Sequence, residues 1–282
     1  MTAPSQADKA EQFRALHTGP RILALPNAWD AISARIFEAA GFPAVGTTSA
    51  GLANVLGYPD GQYVPREEML FMVRRIAQTV QVPVTADIEA GYGINSVAEV
   101  VETVKGVLAA GAVGINLEDS DGDVNGTLAE AGLQVEKIAA LRALAQSEGV
   151  PLVINARTDA FHLASLDTQA KLALAVERAN LYREAGADCL FVPFVNEASV
   201  IAQLAQAING PLNILVAPGV PDTATLEKMG VARLSVGSGP KRATLGLVRR
   251  IAEELRDQGT YTSLTEGTIP YPEINRLLAP RE

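Results

Sequence analysis

The residues of this chain best suited to chemistry are carboxylates that end apolar runs. Residues 82–87 (VPVTAD) lead into Ile88, Glu89 and Gly91-Tyr92-Gly93. Residues 113–119 (VGINLED) end on Glu118 and Asp119, and residues 152–159 (LVINARTD) carry Asn155, Arg157 and Asp159. A further acid, Asp60, follows Tyr58 in a Pro-Asp-Gly turn. Side chains two apart in extended chain point the same way, so Asp87 and Glu89 share a side. Carboxylates that converge without matching cations repel one another, and a hard divalent ion resolves the conflict. Mg²⁺ suits such a place because it needs only one or two carboxylates plus water and substrate oxygens. Arg157 offers a planar fork for a substrate carboxylate, with Asn155 on the same strand end.

Each acid also has an ordinary explanation. A carboxylate at a strand end often caps the next helix or pairs with an arginine. Asp119 reads as a loop brace, Asp159 as a clamp on Arg157, and Asp60 as a turn residue. Asp87, Glu89 and Glu118 on adjacent strand ends are harder to explain that way.

Such convergence requires a scaffold, and the chain supplies a repeated one. Eight short apolar runs recur, at residues 22–25, 44–48, 82–87, 113–119, 152–159, 188–193, 212–218 and 233–238. Segments with apolar side chains at helical spacing separate them. Ala40-Gly41, Ala110-Gly111, Ala185-Gly186 and Met229-Gly230 mark helix ends before strands. Strands without alternation are buried on both faces, as in parallel sheets covered by helices. Eight βα units predict one closed (β/α)₈ barrel over residues 1–282, with active groups at the C-terminal strand ends. A helix over about 5–18 and a helical tail from about 259 flank the units. The segment PNAWDAISA carries no dinucleotide fingerprint.

Composition narrows the rest. The 282 residues carry a net charge of -9, from 32 acids against 23 bases, without a basic block. That argues against nucleic acid or an anionic membrane as partner. The lone cysteine, Cys189, excludes an internal disulfide framework. No apolar run approaches the roughly 20 residues needed to span a bilayer. The N-terminal MTAPSQADKAEQF lacks the marks of a signal peptide, so a cytoplasmic protein is expected. His17 is expected at the surface, and Cys189 and Trp29 in packing roles. His162 could reach the mouth. Ser49 sits in no nucleophile elbow. Gly237-Ser238-Gly239 could offer backbone N–H groups to an anion or form a tight turn.

In order along nearly the whole chain, LPNAWDAISARIFEAAGF, TTSAGLANVLGYPDG, ADIEAGYG, GINLEDS, INARTDAF and ERANLYREAGAD resemble the isocitrate lyase/phosphoenolpyruvate mutase superfamily. The resemblance implies a Mg²⁺-dependent barrel (Mn²⁺ being a substitute), a homo-oligomer (dimer or tetramer) with an exchanged C-terminal helix, and chemistry on small 2-oxo or 2-hydroxy acids. It implies that Asp87 binds the metal directly, with Asp60, Glu89 and Glu118 as partners, some through water. It makes Thr47, Thr48 and Ser49 the substrate-holding segment, Arg157 the arginine on the substrate, and Arg242 a further substrate arginine.

The departures are informative. The lyases of this superfamily carry a K-[KR]-C-G-H loop with an acid/base cysteine, where this chain has SDGDVNGTLAEAGLQ, without Cys, His or Lys. Asn125 only approximates the asparagine of the mutase loop. Pro193 and Leu215 fall near positions where lyases place polar groups on a larger acid. Authentic isocitrate lyase activity is therefore not expected. What survives is enolate chemistry: decarboxylation of an oxaloacetate-type acid, which needs no base to start, ahead of retro-aldol cleavage of a 2-alkylmalate-type acid. The latter would need Tyr58 or His162 as base; the metal and Arg157 would stabilise the developing charge, and Glu118 is a further catalytic candidate. Phosphorus–carbon chemistry on phosphonopyruvate and non-catalytic binding of a 2-oxo acid are the alternatives.

Overall fold

A proline closes the barrel. In the computed structural model, which describes residues 4–120 and 127–279, the first apolar run (22–25) becomes β1 (Leu23–Leu25), and a short strand not expected from the sequence, β2 (Asn27–Ala28), follows across Pro26. Proline has no N–H for a ladder, and the chain changes partner there. β1 pairs with β9 (Arg233–Ser235), β2 with β3 (Val45–Thr47), and the Pro26 carbonyl accepts from Gly46 N at 2.9 Å. Between them run β4 (Val84–Asp87), β5 (Gly114–Glu118), β6 (Val153–Arg157), β7 (Cys189–Val192) and β8 (Leu212–Leu215). Every pairing is parallel, in the order β1-β9-β8-β7-β6-β5-β4-β3-β2. Eight of the nine segments thus correspond to the eight expected strands, and β2 is an additional one that continues from β1 past Pro26.

The helices follow the expected alternation. Around the sheet lie α2 (Ala31–Ala39), α3 (Ser49–Leu56), α4 (Arg66–Thr79), α5 (Val97–Ala109), α6 (Ala131–Ser147), α7 (Thr168–Glu184), α8 (Ala198–Ala207) and α9 (Thr223–Lys228). α1 (Gln6–Leu16) precedes the barrel, and α10 (Gly239–Asp257), α11 (Thr262–Thr265) and α12 (Tyr271–Leu278) follow it. Gly111 takes φ +93° and Gly186 φ +113°, the left-handed turn expected between helix and next strand. Ile115, Leu117, Ile154, Leu190, Val192 and Ile214 face outward into one large core with the helices. The opposite faces look into the barrel, and α1 plugs its lower end: Ala10 and Phe13 pack on Leu23, Leu25, Val113 and Val153.

The plug corrects one expectation. His17 is buried, not at the surface. Its Nδ1 lies 2.8 Å from the Phe13 carbonyl and its ring meets the Phe13 ring edge-on at 4.8 Å. α1 carries its last turn under the barrel, and burial, reinforced by Arg233, pulls the imidazole down to about 4. Cys189 is core, as expected, its thiol pushed up by burial to about 12. Trp29 packs edge-on against Phe37 and beneath Lys241.

The end of the chain is different in kind. α10 buries none of its 19 residues, and Leu245, Leu247, Val248 and Leu255 stand exposed on it. α12 returns to pack against α2, with Arg35 Nε donating to the Leu277 carbonyl at 2.6 Å.

Candidate active site

The acids do gather at the C-terminal mouth. β3 ends on Thr47, and Thr48 caps α3 while lying under the mouth. The Thr47 hydroxyl accepts from Asp87 N at 2.9 Å, and Ser49 N donates to Asp87 Oδ2 at 2.9 Å. Asp87 is thus oriented by two residues of the neighbouring strand end. Glu89 lies two residues on in left-handed backbone (φ +54°), its Oε2 accepting from Gln62 N at 2.7 Å. Asp60 sits beside both. Partial burial and the Asp87 carboxylate hold its carboxyl above the usual range. Burial, then Asp87, then Asp60, push Glu89 up to about 8.

The Arg157 guanidinium faces this group, and it is already engaged. Its Nη1 lies 2.6 Å from Glu118 Oε2, while Nε and Nη2 grip Asp159 at 2.6 and 2.9 Å. Burial opposes its charge, but Glu118 and Asp159 more than offset that and raise its pKa. Burial drives Glu118 well above the usual carboxylate range, with Arg157 opposing. The rings of Phe191 and Phe194 lie 5.8 and 5.6 Å from the guanidinium. Behind it, Asp159 N donates to Asp119 Oδ1 at 2.9 Å, and Asp119 Oδ2 accepts from Tyr182 (2.7 Å) and Arg178 (3.0 Å). Asp159 therefore clamps Arg157 and Asp119 braces the loop, as read from the sequence.

A cavity of about 170 Å³ opens here. Asp60, Asp87, Ser49, Thr48, Asn27, Asn116, Ser235 and Arg157 line it together with Phe191, Phe194 and Leu215, the two rings lying next to the Arg157 guanidinium. Glu89 and Glu118 adjoin it. The remaining candidates stand elsewhere. Thr47 lies beneath, as a support for Asp87. Asn155 is a layer lower, its Nδ2 donating to Asn116 Oδ1 at 2.7 Å. Tyr58 turns its hydroxyl towards Glu68 at 3.4 Å, and Arg242 is exposed on the first turn of α10. His162 stacks on Phe194 at the rim, with ring centres 4.6 Å apart. Gly237 lines the cavity, but its N–H donates to Asn27 Oδ1 at 2.9 Å, so it is not free for an anion. Asn125 lies outside the described residues.

A hard divalent cation fits these residues. Among the described residues no three acidic, histidine or cysteine side chains close on one point, so protein atoms alone would not encage an ion. That is the arrangement Mg²⁺ tolerates, with few carboxylates and the rest water or substrate oxygen. The donors are all oxygen, and a cation relieves the repulsion among the carboxylates that adds to burial in raising Asp60 and Glu89.

Sequence reasoning missed Asn116, Arg233, Ser235 and Asn213, which form a hydrogen-bonded layer inside the barrel, and Asn27, which donates to the Thr47 carbonyl and accepts from Val236 N and Gly237 N. Their trace in the sequence was isolated polar residues within otherwise apolar strands, which does not show the direction they face.

Comparison with known proteins identifies the family. Residues 13–256 match the family model of phosphoenolpyruvate phosphomutase. Oxaloacetate decarboxylase of Rhodopseudomonas palustris (strain TIE-1) is 32% identical over 270 residues, covering 92% of this chain and 88% of that protein. 2-Methylisocitrate lyase of Escherichia coli (strain K12) is 29% identical over 266 residues, covering 90% and 86%. A crystal structure of a candidate lyase/mutase from Burkholderia cenocepacia J2315 superposes with a TM-score of 0.89 at 37% identity, over 98% of this chain and 97% of that one. With a family match across that much of its length, the chain belongs to the phosphoenolpyruvate phosphomutase family, within the isocitrate lyase/phosphoenolpyruvate mutase superfamily.

Proposed function

We propose that this protein is a divalent-metal-dependent lyase that breaks a carbon–carbon bond of a small 2-oxo or 2-hydroxy di-acid, with decarboxylation of an oxaloacetate-type acid the best fit. The carrying observation is a single small cavity that brings Asp60, Asp87 and Arg157 together with the apolar side chains of Phe191, Phe194 and Leu215. When bound, Mg²⁺ would supply the electron sink for an enolate by drawing on the carboxylate and 2-oxo oxygens of the substrate. Asp87, held by Ser49 and Thr47, is the direct ligand in this reading, with Asp60, Glu89 and Glu118 in its outer shell. The Arg157 fork, fixed by Asp159, faces the charge that develops as the bond breaks. The aromatic wall strips water from the departing carboxylate, which leaves as neutral CO₂.

Retro-aldol cleavage needs a base at a hydroxyl. Tyr58 points at Glu68 and His162 packs on Phe194, and neither lines the cavity. Decarboxylation asks for no such group at its start. The test is pyruvate formation from oxaloacetate and from substituted malates with Mg²⁺. Turnover above the metal-only blank that disappears in Asp87→Asn is expected, and none above the blank with metal demonstrably bound would overturn the reading. The family match itself favours a second reading, phosphorus–carbon chemistry at the same cradle. Phosphorus NMR on phosphonopyruvate separates the two.

The same reading extends to assembly and setting. The uncovered apolar side chains of α10 favour a homo-oligomer, a dimer or a tetramer, built through that helix. A cytoplasmic setting goes with a single cysteine kept as a buried thiol.

A further inference from the structure

Beneath the cavity floor, Arg233 is completely buried inside the barrel. Its hydrogen bonds among the described residues go to neutral groups: Nε donates to Ser235 Oγ and Nη2 to Asn116 Oδ1, each at 3.2 Å. Nη1 has no hydrogen-bond partner, and the guanidinium carbon lies 5.9 Å from the centre of the Phe13 ring. Burial lowers its pKa only to about 10, so it stays charged near neutral pH. The carboxylate that acts on it, Asp87, does so through space and not by a hydrogen bond. A buried cation without such a bonded partner is costly to a fold, and an apolar side chain of similar volume is often better tolerated.

Both acceptors of Arg233 line the cavity. Asn116 Oδ1 also accepts from Asn155 Nδ2 at 2.7 Å, so both of its lone pairs are committed below. The amide nitrogen of Asn116 is thereby left on the cavity side. Ser235 accepts from Arg233 and donates to Asn213 Oδ1 at 3.1 Å, which fixes its hydroxyl as well.

We propose that Arg233 is a positioning residue for the anionic substrate: it locks Asn116 as a hydrogen-bond donor in the cavity floor and places a positive charge directly beneath. The inference rests on the function proposed above, because it takes the cavity to be the place of a small acid. It accounts for a charged side chain in a layer where packing alone would favour an apolar one.

Oxalate, a small dianion with two adjacent carboxylates, is the probe, titrated calorimetrically into the Mg²⁺-loaded full-length protein. Arg233→Met is expected to weaken oxalate binding about tenfold or more, a loss of about 1.4 kcal/mol, while its melting temperature stays level or rises. Asn116→Ala should weaken binding comparably, and the double variant should be no weaker than the worse single one, because one residue acts through the other. Arg233→Lys, which keeps the charge but cannot reach both acceptors, should lose several-fold, and it carries the test should the methionine variant fail to fold. Oxalate affinity of these Arg233 variants within twofold of the wild type overturns the proposal, whatever happens to stability. No oxalate binding by the wild type itself overturns the functional reading and this inference together.

Discussion

Gln62 and Glu89 hold each other in backbone that neither residue favours. Gln62 N donates to Glu89 Oε2 at 2.7 Å, and their φ angles are +60° and +54°. Gln62 Oε1 also accepts from Tyr92 N at 2.8 Å, and Tyr92 has φ +60°. With Phe194 (φ +63°), these are the four left-handed non-glycine residues among those described, and all stand at the mouth. Such backbone is costly and persists where surrounding contacts enforce it. The loops after β4 and before α4 are thus tied to one another through the carboxylate that the site uses.

That carboxylate makes metal-free stability depend on pH. Glu89 holds its proton more tightly folded, at about 8, than at its ordinary 4.5. Its contribution is full below about 4.5 and is lost as pH rises through about 8. Thermal melts of metal-free protein should fall by on the order of 5 °C across that interval. Glu89→Gln, or saturating Mg²⁺, should flatten the profile.

Arg157→Lys keeps a charge but loses the fork that reaches Glu118 and Asp159 together. Its kcat/KM for the proposed decarboxylation should fall about 100-fold. Mg²⁺ binding, followed by calorimetry, should stay within a few-fold of the wild type. Equal losses in both would place Arg157 in the metal site instead.

Asp119→Asn should be destabilising out of proportion to its size. Asp119 is fully buried and serves Tyr182, Arg178 and Asp159 N at once. Arg178 also donates to the Ala129 carbonyl at 2.9 Å. Breaking one partner of a buried pair costs about 3–5 kcal/mol, readable by urea unfolding. Activity should fall further than stability explains, because Asp159 orients Arg157.

Leu247→Asp with Val248→Asp should change the assembly and leave the barrel intact. Both side chains are exposed on α10. Sedimentation velocity should show smaller species than the wild type, with an unchanged circular dichroism spectrum. An unchanged sedimentation coefficient would remove α10 from the interface.

How much of this was legible in the sequence depends on the direction a residue faces. The eight apolar runs and the glycines at 111 and 186 are local signals, and each became the element it announced. The Asp87-x-Glu89 pair and Arg157 were readable because strand ends are marked by the change from apolar to polar. The Arg233–Asn116–Ser235 layer was not readable. A single polar residue in an apolar strand looks alike whether it points at a helix or into the barrel. Only the closure of the sheet decides which alternate side chains meet. His17 misled for a related reason, since a polar residue near a helix end suggests solvent until the helix is seen to plug the barrel. Tyr58 lay beside Asp60 in sequence, yet the turn between them sends the two side chains apart.

The division at Pro26 has a consequence for biosynthesis. The stretch before that proline finds its neighbour only in residues 233–235, some two hundred positions later, whereas the stretch after it can join β3 almost at once. During translation the nascent sheet would therefore carry an open seam until most of the polypeptide has left the ribosome.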